Sequence, residues 1–190
     1  TLLASYQTGN IYRIGFDAAE NLAPLSRKVA EIVVPDFFTG EAFHAQRELQ
    51  GRRPKIVTSI AMFYDLEDPN RFVADIGAVL DPEGLWIIQM SYLPLMLKTN
   101  EFGNICHEHL EYYSLQSLEF LLAMHDFSIV DVELNDVNGG SLRAYVRRTG
   151  ANPKSFGDET YADLAHQRVK AMRESEIKLG LDEKQVYLDF

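Results

Sequence analysis

Residues 104–114 read Asn-Ile-Cys-His-Glu-His-Leu-Glu-Tyr-Tyr-Ser, so two of the chain's five histidines flank a glutamate and two tyrosines follow closely. Histidine titrates near neutral pH, and an adjacent carboxylate can hold an imidazole in one tautomer and raise its basicity, as a general base requires. His109 is the first candidate for a catalytic base, with Glu108 beside it to orient the ring and His107 as the competing base. Two other fates stand next to that reading: a metal site, or a histidine that is hydrogen-bonded in a partly buried turn or caps a helix. A zinc-binding helix spaces its histidines four apart, whereas His107 and His109 are two apart and Cys106 is the sole cysteine, so no metal is expected.

The elements that must position this cluster follow from local pattern. Thr1–Tyr6 reads as part of a helix. Ile11–Asp17 is a β-rich run that closes on an acidic residue, and Ala18–Ala23 suits a helix start. In nucleotide-binding α/β sheets a carboxylate at the carboxyl end of a strand can accept from both hydroxyls of a ribose, so Asp17 is a ribose candidate; it is equally a turn or N-cap residue. Glu31–Val34 repeats the pattern before Pro35-Asp36-Phe37-Phe38. Asp36 could accept from an adenine amino group while Phe37 or Phe38 covers the ring, with core packing the other fate of the phenylalanines.

Lys55–Tyr64, apolar nearly throughout, predicts a central parallel strand, and its last part, Ser59, Ala61 and Met62, would line the floor of a cofactor cleft. Phe72, Val73, Ile76, Val79 and Leu80 fall at helical spacing over 70–80. Gly84–Tyr92 predicts a buried strand in which Gln89 and Tyr92 either line a ligand cleft or solvate the strand end. Ser114–Ser117 reads as a helix start, with Leu118, Leu121, Leu122 and Met124 on its core face. Phe127–Leu134 and Ser141–Arg148 flank the turn Asp136-Val137-Asn138-Gly139-Gly140 and predict an antiparallel hairpin. The whole is an α/β pattern, a mixed doubly wound sheet. Residues 158–180 are strongly charged with sparse apolar positions (Tyr161, Leu164, Val169, Met172, Ile177), as in a linker helix or one that packs on a missing neighbour.

Composition narrows the partners. With 190 residues, 46% of them hydrophobic and 24% charged, the chain can bury one sizeable core. A net charge of −10 argues against nucleic acid or an anionic membrane as a general partner. A single cysteine fits a reducing cytoplasm, and no apolar run is long enough to span a bilayer.

Four stretches together carry a family resemblance: Ser59–Leu66, Gln89–Pro94, Ile105–Ser114 with its Glu108-His109 pair, and Asn138-Gly139-Gly140-Ser141. Over residues 1–148 the chain resembles the sugar C-methyltransferases, enzymes that use S-adenosylmethionine on nucleotide-linked ketosugars. The resemblance implies a class I methyltransferase fold, Rossmann-like, with helices on both faces of a mixed sheet and a terminal antiparallel hairpin. It implies a methyltransferase core over 1–150 and a linker helix over 151–190 toward a further domain. It also implies a first strand and a glycine-rich loop ahead of Thr1, so the 190 residues are expected to be a core that lacks its first strand, part of a longer chain. Cys106 departs from relatives that carry a tyrosine there.

The chemistry implied is removal of a proton beside a ketone by His109, with Glu108 orienting the imidazole or a sugar hydroxyl. His107 or one of Tyr64, Tyr92 and Tyr112 would support the enolate oxygen. Gln89 and Asn138 complete the expected substrate contacts. An oxygen or nitrogen methyltransferase on another small molecule, or a fragment unable to bind cofactor, would share these features.

Overall fold

The computed structural model describes residues 2–6, 11–152 and 156–190, with the backbone alone at Asn138. The chain divides after Gln50 into two compact units.

In the first unit, β1 (Ile14–Phe16) and β2 (Ile32–Val34) pair in parallel, Ile14 opposite Ile32 and Phe16 opposite Val34. A parallel pair needs a crossover. It is made here by a 3-10 turn at Glu20–Leu22 and the short helix α1 (Ala23–Ser26), whose first turn carries Pro24. Glu31 fixes the register, since its carboxylate accepts from the Arg13 backbone N–H at 2.6 Å and from the guanidinium at 3.1 Å. Those bonds hold the Glu31 carboxyl below its ordinary range. Both strands are shorter than their apolar runs, and Leu2–Ser5 forms a 3-10 turn rather than an α-helix. Thr39 caps α2 (Gly40–His44) by accepting from Ala42 N–H at 3.0 Å.

The second unit is built on a four-stranded sheet of order β3 (Ile56–Ile60), β4 (Leu85–Ser91), β6 (Ser141–Arg148), β5 (Phe127–Asn135). β3 and β4 are parallel, joined through α3 (Pro69–Val79); β4–β6 and β6–β5 are antiparallel. The predicted hairpin is present, with β6 inserted between β4 and β5. Trp86, Ile88 and Met90 of β4 and Leu142, Ala144 and Val146 of β6 are buried, which makes these two strands the interior of the sheet. Each large side chain so buried contributes about 1.5–3 kcal/mol. Asp68 caps α3 through Arg71 N–H, and Phe72, Val73, Ile76 and Val79 form its inward face.

The apolar run Lys55–Tyr64 behaves differently from its pattern. The strand stops at Ile60, Ala61 takes φ +53°, and Phe63–Asp65 form a 3-10 turn that buries Phe63 and Tyr64. β3 is thus an edge strand of this sheet, not a central one, with Ile56 and Ile60 exposed. The helix α4 (Leu93–Thr99) follows β4 directly. α5 (Leu115–Ala123) starts at a reciprocal Ser114–Ser117 capping box as expected, but it ends before Met124, which is exposed because Asp126 at φ +59° turns the chain toward β5.

α6 (Glu159–Leu179) begins at the N-cap Asp158 and ends at Gly180 with φ +73°. Its inward residues are Ala165, Val169 and Glu176, while Leu164 and Ile177 are exposed and Tyr161 is partly so. Polar contacts fasten it to the sheet and to α5. Arg168 donates to the buried Asp131 of β5 at 2.7 and 2.6 Å, and Tyr161 O–H does so at 2.7 Å. Glu176 accepts from Leu115 and Gln116 N–H at the start of α5 (2.5 and 3.0 Å) and from Tyr92 O–H (2.6 Å). Beyond Gly180, α7 (Lys184–Leu188) leads to Phe190, whose ring stacks on Phe102 at 4.4 Å. Among the described residues no helix is long and apolar enough to cross a membrane.

Candidate active site

The histidine cluster sits on a turn, not on a strand or helix, between the 3-10 turn Phe102–Asn104 and the cap of α5. His109 N–H closes the turn onto the Cys106 carbonyl at 3.3 Å, and Leu110 and Glu111 N–H then donate to the Tyr64 carbonyl at 3.0 and 3.1 Å. This ties the segment to the turn that follows β3. The Tyr64 ring lies against the His109 imidazole, centroids 4.3 Å apart.

His109 Nδ1 is 2.8 Å from the backbone carbonyl oxygen of Asn104. A carbonyl only accepts, so Nδ1 carries a proton, and in the neutral ring the lone pair is at Nε2. Tyr112 O–H donates to the same carbonyl at 3.2 Å. Asn104 is itself buried, and its Oδ1 accepts from Ser91 O–H at the end of β4 at 3.2 Å. The imidazole is therefore oriented by backbone that the sheet holds in place.

Tyr64, Glu101, Gly103, Asn104, His109 and Gly139 line an open pocket of about 340 Å³, within the range of small-molecule sites. Glu101 Oε1 accepts from Gly103 N–H at 3.2 Å. Gly139, at φ +77°, lies so close to this carboxylate that a Cβ there would come within 2.8 Å of Glu101 Oε2. Burial pushes the Tyr64 hydroxyl above its ordinary range, with Asp65 and Cys106 adding to it. The Asp65 carboxyl is also raised, by desolvation first and by Glu108 in addition, with His109 acting the other way.

The expected partners of His109 divide. His107 and Glu108 pair with each other at 3.2 Å and are both exposed, so the group that holds His109 is the Asn104 carbonyl and not Glu108. Glu108 lies below its ordinary range, chiefly through its own backbone N–H and then through His107, Cys106 and His109. In an extended segment His107 and His109 would share a side; the turn at 106–109 separates them.

Tyr64 lines the pocket, and Tyr112 reaches it through the Asn104 carbonyl. Tyr92 and Gln89 do not take the expected ligand-lining role. Tyr92 is buried and donates to Glu176, its hydroxyl pushed up by burial and by that carboxylate. Gln89 Oε1 accepts twice from the Arg143 guanidinium, at 2.9 and 2.7 Å. The Asn138 side chain lies outside the described residues; its backbone belongs to the 3-10 turn Val137–Gly139.

Of the residues expected at a cofactor, Ser59 is committed to the core, where its Oγ accepts from Trp86 Nε1–H at 3.0 Å. Ala61 is exposed on its left-handed turn, with Met62 half-buried after it. In the first unit, Asp17 directly follows β1 and is exposed; Oδ1 accepts from Ala19 N–H at 2.9 Å. Asp36 accepts from Phe37 N–H at 2.7 Å, and the Phe37 ring is 76% exposed. Phe38 instead packs edge-on against Phe16.

Three pocket features escaped the residue pattern. The Asn104 carbonyl has no side-chain signature. Glu101 carries one weak signal, a carboxylate two residues before a glycine, and Gly139 another, a turn glycine between two strands. Among the described residues no three His, Cys, Asp or Glu side chains converge as metal ligands.

Residues 7–132 match a family model described as a methyltransferase domain. The chain belongs to the methyltransferase-domain family. It is 32% identical over 139 residues to the C-methyltransferase NovU of Streptomyces niveus, an alignment that covers 73% of this chain and 33% of that protein. The chain thus spans about a third of the length of this curated relative. Among solved structures, the plantazolicin methyltransferase BpumL, in complex with a pentazolic desmethylPZN analogue and SAH, superposes with a TM-score of 0.53 at 12% identity, over 72% of this chain and 67% of that one. Protein PH0226 of Pyrococcus horikoshii OT3 gives 0.52 at 15% identity, over 73% and 72%. At these identities the likeness is one of fold, the class I methyltransferase fold.

Proposed function

We propose that the protein transfers a methyl group from S-adenosylmethionine to a carbon of a nucleotide-linked ketosugar. The observation that carries this reading is the His109–Asn104 hydrogen bond, which orients the imidazole and, in its neutral form, places the basic lone pair on Nε2 in a pocket of ligand size. The likeness to a C-methyltransferase supports carbon as the acceptor.

In the first unit the residues fit the donor. Asp17 stands at the carboxyl end of a parallel strand with its second oxygen available to a ribose hydroxyl, and Asp36 with the exposed Phe37 ring suits an adenine. S-adenosylmethionine, when bound, supplies an electrophilic methyl group on a sulfonium.

His109 Nε2 removes the proton from the carbon beside the ketone, and the imidazolium so formed keeps its Nδ1–H on the Asn104 carbonyl. Enolate formation needs a donor at the ketone oxygen. Tyr92 and Tyr112 spend their hydroxyls on Glu176 and on the Asn104 carbonyl. The Tyr64 hydroxyl has no protein partner among the described residues, and its raised pKa keeps it protonated at neutral pH. Tyr64 is therefore assigned the enolate oxygen.

The test is carbon-bound deuterium uptake. Incubated in D2O with a nucleotide-linked ketohexose and no methyl donor, the full-length protein should exchange the hydrogen next to the ketone, and with S-adenosylmethionine it should methylate that carbon. Methylation on oxygen or nitrogen without exchange would replace this reading by the heteroatom alternative.

A further inference from the structure

The polar groups of the pocket have a marked polarity of their own. Among the described residues, no lysine or arginine lines it. The neutral form of His109 offers a lone pair at Nε2, and the Asn104 carbonyl already accepts twice. The remaining charged lining group is Glu101. Its Oε1 takes the Gly103 N–H, which leaves Oε2 without a protein partner among the described residues.

That geometry is built by backbone. Glu101 N–H donates to the Met96 carbonyl at 3.0 Å, at the end of α4. Gly103 and Gly139 crowd the carboxylate so closely that a Cβ on either would stand 2.7–2.8 Å from one of its oxygens. Gly139 occurs in the turn between β5 and β6, so the sheet itself sets how near that turn comes to Glu101. A carboxylate confined in this way, with one oxygen satisfied and one not, lacks a donor, and an anionic ligand group would be repelled there. A neutral group rich in O–H donors complements it.

We infer that Glu101 is a substrate-positioning residue whose Oε2 accepts a ring hydroxyl of the sugar, in the same pocket as the base His109. The inference rests on the ketosugar reading above and adds to it: the pocket receives the hydroxylated ring, and the nucleotide's phosphates lie outside it. Glu101 fixes the ring's rotation, which decides which carbon beside the ketone meets Nε2.

The experiment is equilibrium binding of a nucleotide-linked ketohexose, of its deoxy analogues each missing one ring hydroxyl, and of the free nucleoside diphosphate, to the full-length protein and its Glu101→Ala and Glu101→Gln variants. Loss of one charge-assisted hydrogen bond should weaken ketohexose binding by about tenfold or more in Glu101→Ala, with the free nucleoside diphosphate unaffected. One deoxy analogue should lose the same factor against the parent protein and nothing further against Glu101→Ala. S-adenosylmethionine affinity equal to the parent's shows that a variant is folded; Glu101→Gln, which keeps an acceptor for Gly103 N–H, replaces Glu101→Ala if the latter is not.

Unchanged ketohexose affinity in a folded variant overturns the assignment, as does equal binding of every deoxy analogue by the parent or failure of the parent to bind the sugar at all. If binding follows the expected pattern while no methyl is transferred, Glu101 keeps its role and the methyl-transfer reading falls.

Discussion

Asp131 and Glu101 are both carboxylates held by the second unit, and they are used in opposite ways. Asp131 is wholly buried, and each of its oxygens is satisfied twice: Oδ1 by Arg168 Nε–H and Val132 N–H, Oδ2 by Arg168 Nη2–H and Tyr161 O–H. Glu101 has one backbone N–H on one oxygen and opens on a pocket that also contains His109. A closed network has no valence left for a ligand, so its free energy goes into the fold. An open one costs the fold little and is available for chemistry.

Variants on each side should break different observables. The largest effect is expected at His109: His109→Asn should lower the chemical step by ~10²–10⁴-fold, the range for a lost general base, with S-adenosylmethionine binding preserved. Deuterium exchange at the carbon beside the ketone measures that step directly, and exchange at the parent rate would move the role to His107.

Asp131→Ala should cost about 3 kcal/mol of stability, the low end for breaking a buried pair because Arg168 still reaches water. Urea unfolding reads this, and activity per folded molecule should be unchanged. The same carboxyl predicts an acid limit. Burial pushes it up, but the hydrogen bonds from Arg168, Tyr161 and Val132 outweigh burial and hold it below its ordinary range. A carboxyl depressed in the folded state contributes stability that is full above its unfolded value of about 3.9 and is lost as pH falls through the folded value. The deficit of Asp131→Asn against the parent should accordingly shrink between about pH 5 and pH 2. A deficit constant over that range would mean that the network does not depend on the charge.

Smaller effects sharpen the contrast. Asp17→Ala should weaken S-adenosylmethionine binding by ~1.5–3 kcal/mol, as when charged hydrogen bonds are lost, with melting temperature little changed; calorimetric titration decides it, and unchanged affinity removes Asp17 from the site. His107→Gln should change turnover by less than about twofold, since its partner is the exposed Glu108 and exposed pairs contribute little.

Much of this division could be read from residue order. Alternating apolar residues around Asn138-Gly139-Gly140 marked the hairpin, Ser114 marked the start of α5, and the density of titratable groups at 107–109 pointed to the segment whose His109 lines the pocket. What could not be read is what depends on distant partners. Tyr92 and Gln89 interrupt an apolar strand just as ligand-lining residues would, and only Glu176, 84 residues on from Tyr92, and Arg143 show that both are spent internally. Ser59 looks like a cleft residue until Trp86 is brought beside it. Ala61 in a left-handed turn contradicts its own propensity, and the apolar run around it therefore read as continuous strand. The Asn104 carbonyl, common to every residue type, was invisible in principle.

The seat of Glu176 has a temporal consequence. The first amides of α5, at Leu115 and Gln116, wait for an acceptor that lies 61 and 60 residues further on. At ordinary synthesis rates that is a delay of roughly 3–12 s, during which the hairpin of β5 and β6 can already pair. Until α6 emerges, the nascent sheet has the Asp131 face of β5 uncovered and the hydroxyl of Tyr92 without its partner. Docking of α6 thus follows the hairpin in the order of synthesis, and Asp131 gains Arg168 and Tyr161 only then.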